Sequence, residues 1–331
     1  MQHAAPESGL HPPAEGGTEG ILPVGGGHRI CWYRCGHPAG MPALVLHGGP
    51  GSGHSAALTG FFDHGTYDII GFDQRGCGAS TAIDDCRQNT TAHLVQDIES
   101  LRRHLGISQW LVVGGSWGAT LALHYACRHP DAITGLLLRG TFVPAPTEVN
   151  WFWGGAAPLF PQAWQQLARH RSASKPADIV AWLHEVFHGH DVGLMLDVAR
   201  AWHGWEQALS GTQADARSSE PDWTRAMRRC RVQAHYLIHG FWTDPEEWLR
   251  TWRSSDRLRR LPVQFLHGQQ DRICRLEAAR SLQQNLAGSR IESLEGCGHN
   301  PFHPAMSERM REKLRTFAQR GTFANEESDV R

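Results

Sequence analysis

Long apolar runs are absent from this chain of 331 residues. No window reaches the roughly 18 consecutive apolar residues that a helix needs to span a bilayer. The N-terminal segment has neither the basic region nor the apolar region of a secretion signal, so we expect a cytoplasmic protein without a membrane partner. The net charge is −1 and the two signs are mixed along the chain, so no nucleic-acid partner is indicated.

Cysteine motifs and metal-binding spacings are also lacking. The eight cysteines are scattered without a Cys-x-x-Cys motif, and the closest pair is Cys31 and Cys35, so we expect reduced thiols. The 21 histidines show no convincing metal-ligand spacing, and we interpret His188-Gly-His190 as a solvated loop. We therefore expect neither a metal ion nor a cofactor.

A change in the secondary-structure pattern divides the chain. Strands alternate with helices in residues 21–140 and again in 261–320, which predicts a mostly parallel α/β sheet with helices on both faces. Residues 141–260 have a helical pattern, which predicts an inserted helical cap. Residues 1–20 and 321–331 predict disordered tails.

Tryptophan is concentrated in the predicted cap. Ten of the thirteen tryptophans lie there: 151, 153, 164, 182, 202, 205, 223, 242, 248 and 252. Such a concentration favours a cap that shapes an apolar pocket. Ordinary packing between helices is the alternative role, and we expect it for most of these residues.

The segment Gly114-Gly-Ser-Trp-Gly118 is the strongest functional signal in the chain. It lies between the apolar run Trp110–Val113 and the helical stretch Ala119–Ala126, so the context is strand, turn and helix. In that context a Gly-x-Ser-x-Gly pattern predicts a nucleophile elbow, with Ser116 at its tip. Chance occurrence is the alternative, because 36 glycines are present.

A serine nucleophile needs a base, and the base needs an orienting acid. Downstream of Ser116, Asp271 follows a predicted strand, and His299 lies in a glycine-rich loop after the next strand. The chain order serine, acid, histidine predicts a triad of Ser116, Asp271 and His299. Two alternatives remain open: Asp271 as the N-cap of the following helix, and His303 as the base.

Backbone N–H groups must stabilise the oxyanion of the reaction. Trp117 follows the nucleophile and provides one of them. The glycine-rich loop His47–Gly53 provides the other, for which Gly49 is the first candidate and Gly48 the second, because Pro50 has no N–H. The same loop lacks the Gly-Lys-Ser/Thr ending of a phosphate-binding loop.

Several segments together resemble the proline iminopeptidases, a branch of the α/β-hydrolase superfamily. They are His47–Gly51, Phe72–Gly78, Gly114–Leu123, Leu138–Gly140, Trp202–Glu206 and Gly296–His299. The resemblance spans roughly residues 20–320. It implies an α/β-hydrolase fold with a cap, and removal of N-terminal proline from a small peptide or proline amide through an acyl-enzyme on Ser116.

The resemblance also implies a site for the free amino group of the substrate. Glu206 matches the glutamate of the family's Trp-x-x-Trp-Glu motif, and Phe142 is a candidate wall of the proline pocket. A second glutamate of the family is replaced here by Gln233, which carries no charge. That replacement weakens the amine site by roughly 1–2 kcal/mol. A solvated helix face is the alternative for Glu206.

Two other functions compete with the aminopeptidase. An esterase or amidase with the same triad would not require a free amine, and Gln233 favours it. A non-catalytic binder on a hydrolase fold would show a broken triad, whereas both the triad and the oxyanion loop are intact in the sequence. The segment Asp73–Gly76 predicts a structural brace for the loops around the site. The sequence does not determine the oligomeric state.

Overall fold

Eight strands form one sheet in the computed structural model, which describes residues 17–80, 86–170, 176–211 and 222–324. The strands are β1 (Thr18–Gly25), β2 (His28–Gly36), β3 (Met41–Leu46), β4 (Tyr67–Phe72), β5 (Trp110–Gly115), β6 (Ile133–Arg139), β7 (Val263–Gly268) and β8 (Ser289–Leu294). Their order is β1-β2-β4-β3-β5-β6-β7-β8. β2 pairs antiparallel with β1 and β4, and all later pairs are parallel, so the carboxyl ends of β3 to β8 share one edge.

Helices connect the strands. They are α1 (Thr91–His104), α2 (Trp117–Arg128), α3 (Pro146–Asn150), α4 (Pro161–Ala168), α5 (Pro176–His188), α6 (Val192–Ser210), α7 (Trp223–Ile238), α8 (Pro245–Ser254), α9 (Asp256–Arg259), α10 (Leu276–Gln284) and α11 (Pro304–Arg320). None of the helices in the described residues combines the length and the apolarity that crossing a membrane takes.

Local signals explain where α1 begins and ends. The side chain of Thr90 caps its first turn by accepting a hydrogen bond from the N–H of His93. Leu94, Ile98 and Leu101 recur at helical spacing, and all three are buried. Gly106 follows the helix with a φ of 67°, because glycine tolerates the left-handed conformation that ends a helix.

Both faces of the sheet are buried, and β3 shows how. Leu44 and Leu46 belong to one apolar cluster, which also contains side chains of α1, α2 and α10. Ala43 and Val45 belong to a second cluster, which contains side chains of α11. Successive side chains of a strand point to opposite faces, so helices cover both. The predicted architecture, a mostly parallel α/β sheet with helices on both faces, is confirmed.

The insertion between β6 and β7 has its own core. All regular elements described within residues 141–260 are helical, as predicted. Trp202 and Trp205 of α6 pack with Leu183 of α5 in a cluster that is separate from the two sheet clusters. By contrast, Trp248 and Trp252 of α8 are buried in the sheet cluster that contains α2. Val232 and Tyr236 of α7 belong to the same sheet cluster, so packing sets no sharp limit and the cap boundary at residue 260 stays a prediction.

Two described segments extend the core into the predicted tails. β1 begins at Thr18, inside the predicted tail 1–20, and it is a half-exposed edge strand whose short apolar stretch Ile21–Val24 is interrupted by Pro23. Phe323 lies inside the predicted tail 321–331, yet it is buried against Phe317 with ring centroids 4.7 Å apart. Residues 1–16 and 325–331 of the predicted tails lie outside the described residues.

A buried ion pair provides a test of this packing. Arg75 binds Asp97 of α1 through two hydrogen bonds of 2.7 Å, and both side chains are at most 2% exposed. We expect Asp97→Ala to lower the free energy of unfolding by about 3–5 kcal/mol, because it leaves a buried guanidinium without its countercharge. Arg250→Ala breaks the exposed pair with Asp244 and should cost less than about 1 kcal/mol. Urea unfolding followed by tryptophan fluorescence measures both, and equal losses would contradict the argument.

Candidate active site

Ser116 occupies a strained turn between β5 and α2. Its φ of 56° and ψ of −124° are unfavourable for any residue with a side chain. The turn forms because Gly114 and Gly118 have no Cβ: a Cβ on Gly114 would collide with the carbonyl oxygen of Gly118, and one on Gly118 with that of Leu46. The predicted strand, strained turn and helix are therefore present, and they expose Ser116 at the carboxyl edge of the sheet.

Asp271 is buried just beyond the carboxyl end of β7. Its Oδ1 accepts hydrogen bonds from the N–H groups of Ile273 at 3.0 Å and Cys274 at 2.9 Å. Its Oδ2 accepts one from Nδ1 of His299 at 2.7 Å. The N-cap position of α10 is occupied by Arg275, so the capping role considered for Asp271 is not what the structure shows.

The surroundings of Asp271 favour its ionised form. Burial opposes ionisation, but the attraction of His299, its hydrogen bond and the N–H of Cys274 outweigh burial and lower the pKa of the carboxyl. Because an ionised carboxylate oxygen can only accept, Nδ1 of His299 must carry the proton of the hydrogen bond to Oδ2. The lone pair of the imidazole is therefore on Nε2. His303, the alternative base, instead contacts Sγ of Cys297 through its Nδ1 at 3.0 Å.

Arg139, at the end of β6, connects the loops that carry these side chains. Its guanidinium donates to the carbonyl oxygen of His299 at 2.5 Å. Its own carbonyl oxygen accepts from the N–H of Ser116 at 2.9 Å. The sequence reasoning assigned Arg139 no role, although a charged residue at the end of the buried strand β6 was a usable signal.

The serine and the histidine share a cavity but are not hydrogen-bonded. Oγ of Ser116 lies 3.9 Å from Sγ of Cys274, and no hydrogen bond in the described part of the chain joins it to His299. Both side chains line the same cavity. The hydrogen bond between the histidine and the acid of the predicted triad is therefore formed, whereas the one between the serine and the histidine is not.

The two predicted oxyanion donors lie next to Ser116 in the chain and in the loop that lines the cavity. Trp117 is the first residue of α2, where a backbone N–H has no acceptor within the helix. Gly49 and Gly48 line the cavity in the loop after β3. Gly48 lies closest to the nucleophile, since a Cβ built on it would be 3.4 Å from Cβ of Ser116. Gly49 stays the first candidate for the second donor, and Gly48 stays the alternative.

Gln74 holds this loop against the elbow. Its backbone N–H donates to Nε2 of His47 at 3.1 Å, and its side-chain amide donates to the carbonyl oxygen of His47 at 3.0 Å. Its Oε1 accepts from Nε1 of Trp117 at 3.0 Å. The neighbouring Asp73 accepts from the N–H of His54 at 2.6 Å. These bonds agree with the structural role predicted for the segment Asp73–Gly76.

A cavity of about 410 Å³ opens above Ser116 and His299. The predicted wall residue Phe142 lines it, together with apolar side chains of the insertion: Phe152, Trp153, Trp202, Leu237, Phe241 and Val149. Of the ten tryptophans in the predicted cap, only Trp153 and Trp202 line the cavity in the part of the chain that the structure describes. The cap therefore forms an apolar roof, and most of its tryptophans pack elsewhere.

Glu206 of α6 and Gln233 of α7 also line the cavity. The side chain of Glu206 is 17% exposed, which excludes a solvated helix face, and it forms an ion pair with Arg229. Oε1 of Gln233 is buried without a hydrogen-bond partner among the described residues. Arg229 lies four residues before Gln233, a spacing that places both side chains on one face of a helix. The sequence therefore contained a signal that Arg229 lines the cavity, and this signal was missed.

The fold has many counterparts among solved hydrolases. Residues 42–305 match the family described as alpha/beta hydrolase fold. A crystal structure of a proline iminopeptidase from Mycobacterium smegmatis aligns with a TM-score of 0.61 at 20% identity, over 92% of this chain and 98% of its own. The esterase RhEst1 from Rhodococcus sp. ECU1013 aligns with a TM-score of 0.62 at 21% identity, over 89% and 96%. At these identities the likeness concerns the fold alone.

Sequence relatives are more specific. The chain is 38% identical to a proline iminopeptidase of Xylella fastidiosa strain 9a5c over 300 residues, which are 89% of this chain and 95% of the relative. It is 35% identical to one of Arabidopsis thaliana, over 90% of this chain and 79% of the relative. A third, from Neisseria gonorrhoeae, is 33% identical over 87% and 92%. The chain belongs to the proline iminopeptidase family of α/β hydrolases.

Proposed function

We propose that this enzyme is a prolyl aminopeptidase that releases N-terminal proline from small peptides and proline amides through an acyl-enzyme on Ser116. The observation that carries the proposal is the bond of 2.7 Å between Asp271 and His299, next to a strained serine and beneath a cavity that contains a carboxylate. The names of the relatives support the substrate class. The eight cysteines are scattered along the chain without a Cys-x-x-Cys motif, which supports action in a reducing compartment, the cytoplasm.

The reaction begins when the hydroxyl of Ser116 turns from Cys274 towards Nε2 of His299. Nε2 takes the hydroxyl proton while Oγ bonds to the carbonyl carbon of proline. The N–H groups of Trp117 and Gly49 stabilise the resulting oxyanion. Nε2 then donates its proton to the leaving amine, the C–N bond breaks, and the prolyl ester remains on Ser116. A water molecule, deprotonated by the same nitrogen, hydrolyses that ester and regenerates the hydroxyl.

Recognition of the substrate amine falls to Glu206 and Gln233. A protonated imino group that enters an apolar cavity needs a countercharge, and Glu206 is the acidic side chain among the described residues that line the cavity. Oε1 of Gln233 is a buried acceptor without another partner among the described residues, so it suits the second N–H of that group. Apolar side chains such as Phe142 enclose the proline ring.

An esterase or amidase without a requirement for a free amine is the second candidate. It is favoured by the ion pair between Glu206 and Arg229, because a carboxylate that is already neutralised attracts a substrate cation less strongly. The neutral Gln233 acts in the same direction. Both candidates use the same triad, so they differ in the substrate and not in the bond-forming steps.

The free-amine requirement separates the two candidates. We expect proline 4-nitroanilide to be cleaved at least about a hundredfold faster, in kcat/KM, than its N-acetyl counterpart, because acetylation removes both the charge and the N–H groups. Steady-state kinetics on the purified enzyme measures both rates. Short acyl esters serve as the control for an intact triad. Equal rates on the two anilides, with active ester hydrolysis, would favour the esterase or amidase instead.

The acid of the triad is tested by Asp271→Asn. We expect kcat for proline 4-nitroanilide to fall by about 10³–10⁴, because an amide that donates to Nδ1 places the proton of His299 on the wrong nitrogen. The matched control is His303→Ala, which removes the alternative base and should keep most of the activity. Thermal unfolding of both variants checks the fold. Loss of activity in the His303 variant alone would reverse the assignment.

Arg229 should limit the affinity for a charged amine. We expect Arg229→Met to lower KM for proline 4-nitroanilide by about tenfold at an unchanged kcat, because the substrate cation no longer competes with a guanidinium for Glu206. Arg228→Met, at the exposed neighbouring position, is the matched control and should leave KM unchanged. A higher KM in the Arg229 variant would show instead that Arg229 holds Glu206 in its binding position.

A further inference from the structure

Three histidines converge in the cap, outside the lining of the catalytic cavity. His184 and His188 lie one turn apart on α5, and His235 lies on α7. One ring nitrogen of each lies within 4.8 Å of the corresponding nitrogens of the other two. The rings of His184 and His188 are stacked with centroids 4.1 Å apart, and the centroid of His235 is 6.0 Å from that of His188.

Backbone carbonyl groups fix which nitrogen carries the proton in two of the rings. Nδ1 of His188 lies 3.1 Å from the carbonyl oxygen of His184, and Nε2 of His235 lies 3.1 Å from that of Asn89. A carbonyl oxygen can only accept, so each of these nitrogens must be the donor. The lone pairs are therefore on Nε2 of His188 and Nδ1 of His235. Such hydrogen bonds to the remote nitrogen are the usual support of a metal-binding histidine.

The lone pair of His188 has no other use in the described part of the chain. Its Nε2 is buried and has no hydrogen-bond partner there. A buried polar atom without a partner is costly, so it points to a missing ligand.

We propose that His184, His188 and His235 form a binding site for a divalent transition-metal ion of the zinc class. Zinc–nitrogen bonds of about 2.0–2.1 Å in a tetrahedral site place the ligand nitrogens about 3.4 Å apart. Closing from the observed separation takes side-chain movements of roughly an ångström. Water completes the fourth position. Three imidazoles and no carboxylate select zinc, cobalt, nickel or copper over magnesium and calcium.

The site joins two helices of the cap. α5 and α7 are held together by the ion, and α7 also carries Arg229 and Gln233 in the catalytic cavity. The spacing of the histidines in the sequence did not predict this site, because the third ligand comes from a different helix. The inference does not depend on the proposed activity, since none of the three histidines lines the catalytic cavity.

Isothermal titration of the full-length, untagged, EDTA-treated protein with ZnCl₂ tests the proposal. We expect one site of micromolar or tighter affinity. His184→Ala and His188→Ala should each weaken that site at least about tenfold, because each removes one of three protein ligands. His190→Ala is the matched control, an exposed histidine two residues beyond His188, and should leave the affinity unchanged. Wild-type melting temperatures of the metal-free variants confirm that they are folded.

Cobalt provides a second readout. Co²⁺ bound by three histidines in a tetrahedral site gives visible ligand-field bands, which should appear with one equivalent of Co²⁺ and disappear in folded His188→Ala. Absence of zinc binding in the wild-type protein would overturn the proposal. Zinc binding of equal affinity in both alanine variants would overturn it as well, because the ion would then be held by other groups.

Discussion

A carboxylate inside a protein keeps its charge only if nearby groups replace the water that it has lost. For Asp271 these groups are the N–H groups of Ile273 and Cys274 at one oxygen and the imidazole of His299 at the other. The retained charge fixes the proton on Nδ1 of His299 and leaves the lone pair on Nε2, the base that we propose for Ser116. In the proposed reaction, the strained elbow, the oxyanion loop and the cap contribute only if that base is in place.

In the proposed function, the cap adds substrate selectivity to this triad through a balance of charges. Glu206 can attract a substrate cation, but Arg229 on the facing helix already binds its carboxylate. Gln233 contributes an acceptor without a charge. We therefore propose that competition between two cations for one carboxylate sets the affinity for an N-terminal amine, in an apolar cavity where such competition is stronger than in water.

Helix α7 serves two regions of the cap. Arg229 and Gln233 face the catalytic cavity, while His235 lies beside the histidines of α5. Residues two positions apart on a helix do not share a face, so one helix can contribute to both places. Fixing α7 against α5 would also fix the side chains that recognise the substrate.

The sequence by itself determined the parallel sheet, the elbow and the chain order of the triad, because apolar periodicity and glycines at fixed offsets are local signals. It missed the edge strand β1, whose short apolar stretch Ile21–Val24 is interrupted by Pro23. Only the tertiary structure decided that Arg229 neutralises Glu206, that the Ser116 hydroxyl contacts Cys274, and that histidines of α5 and α7 meet. These contacts join distant segments through space, and no local pattern encodes the distance between two elements that pack together.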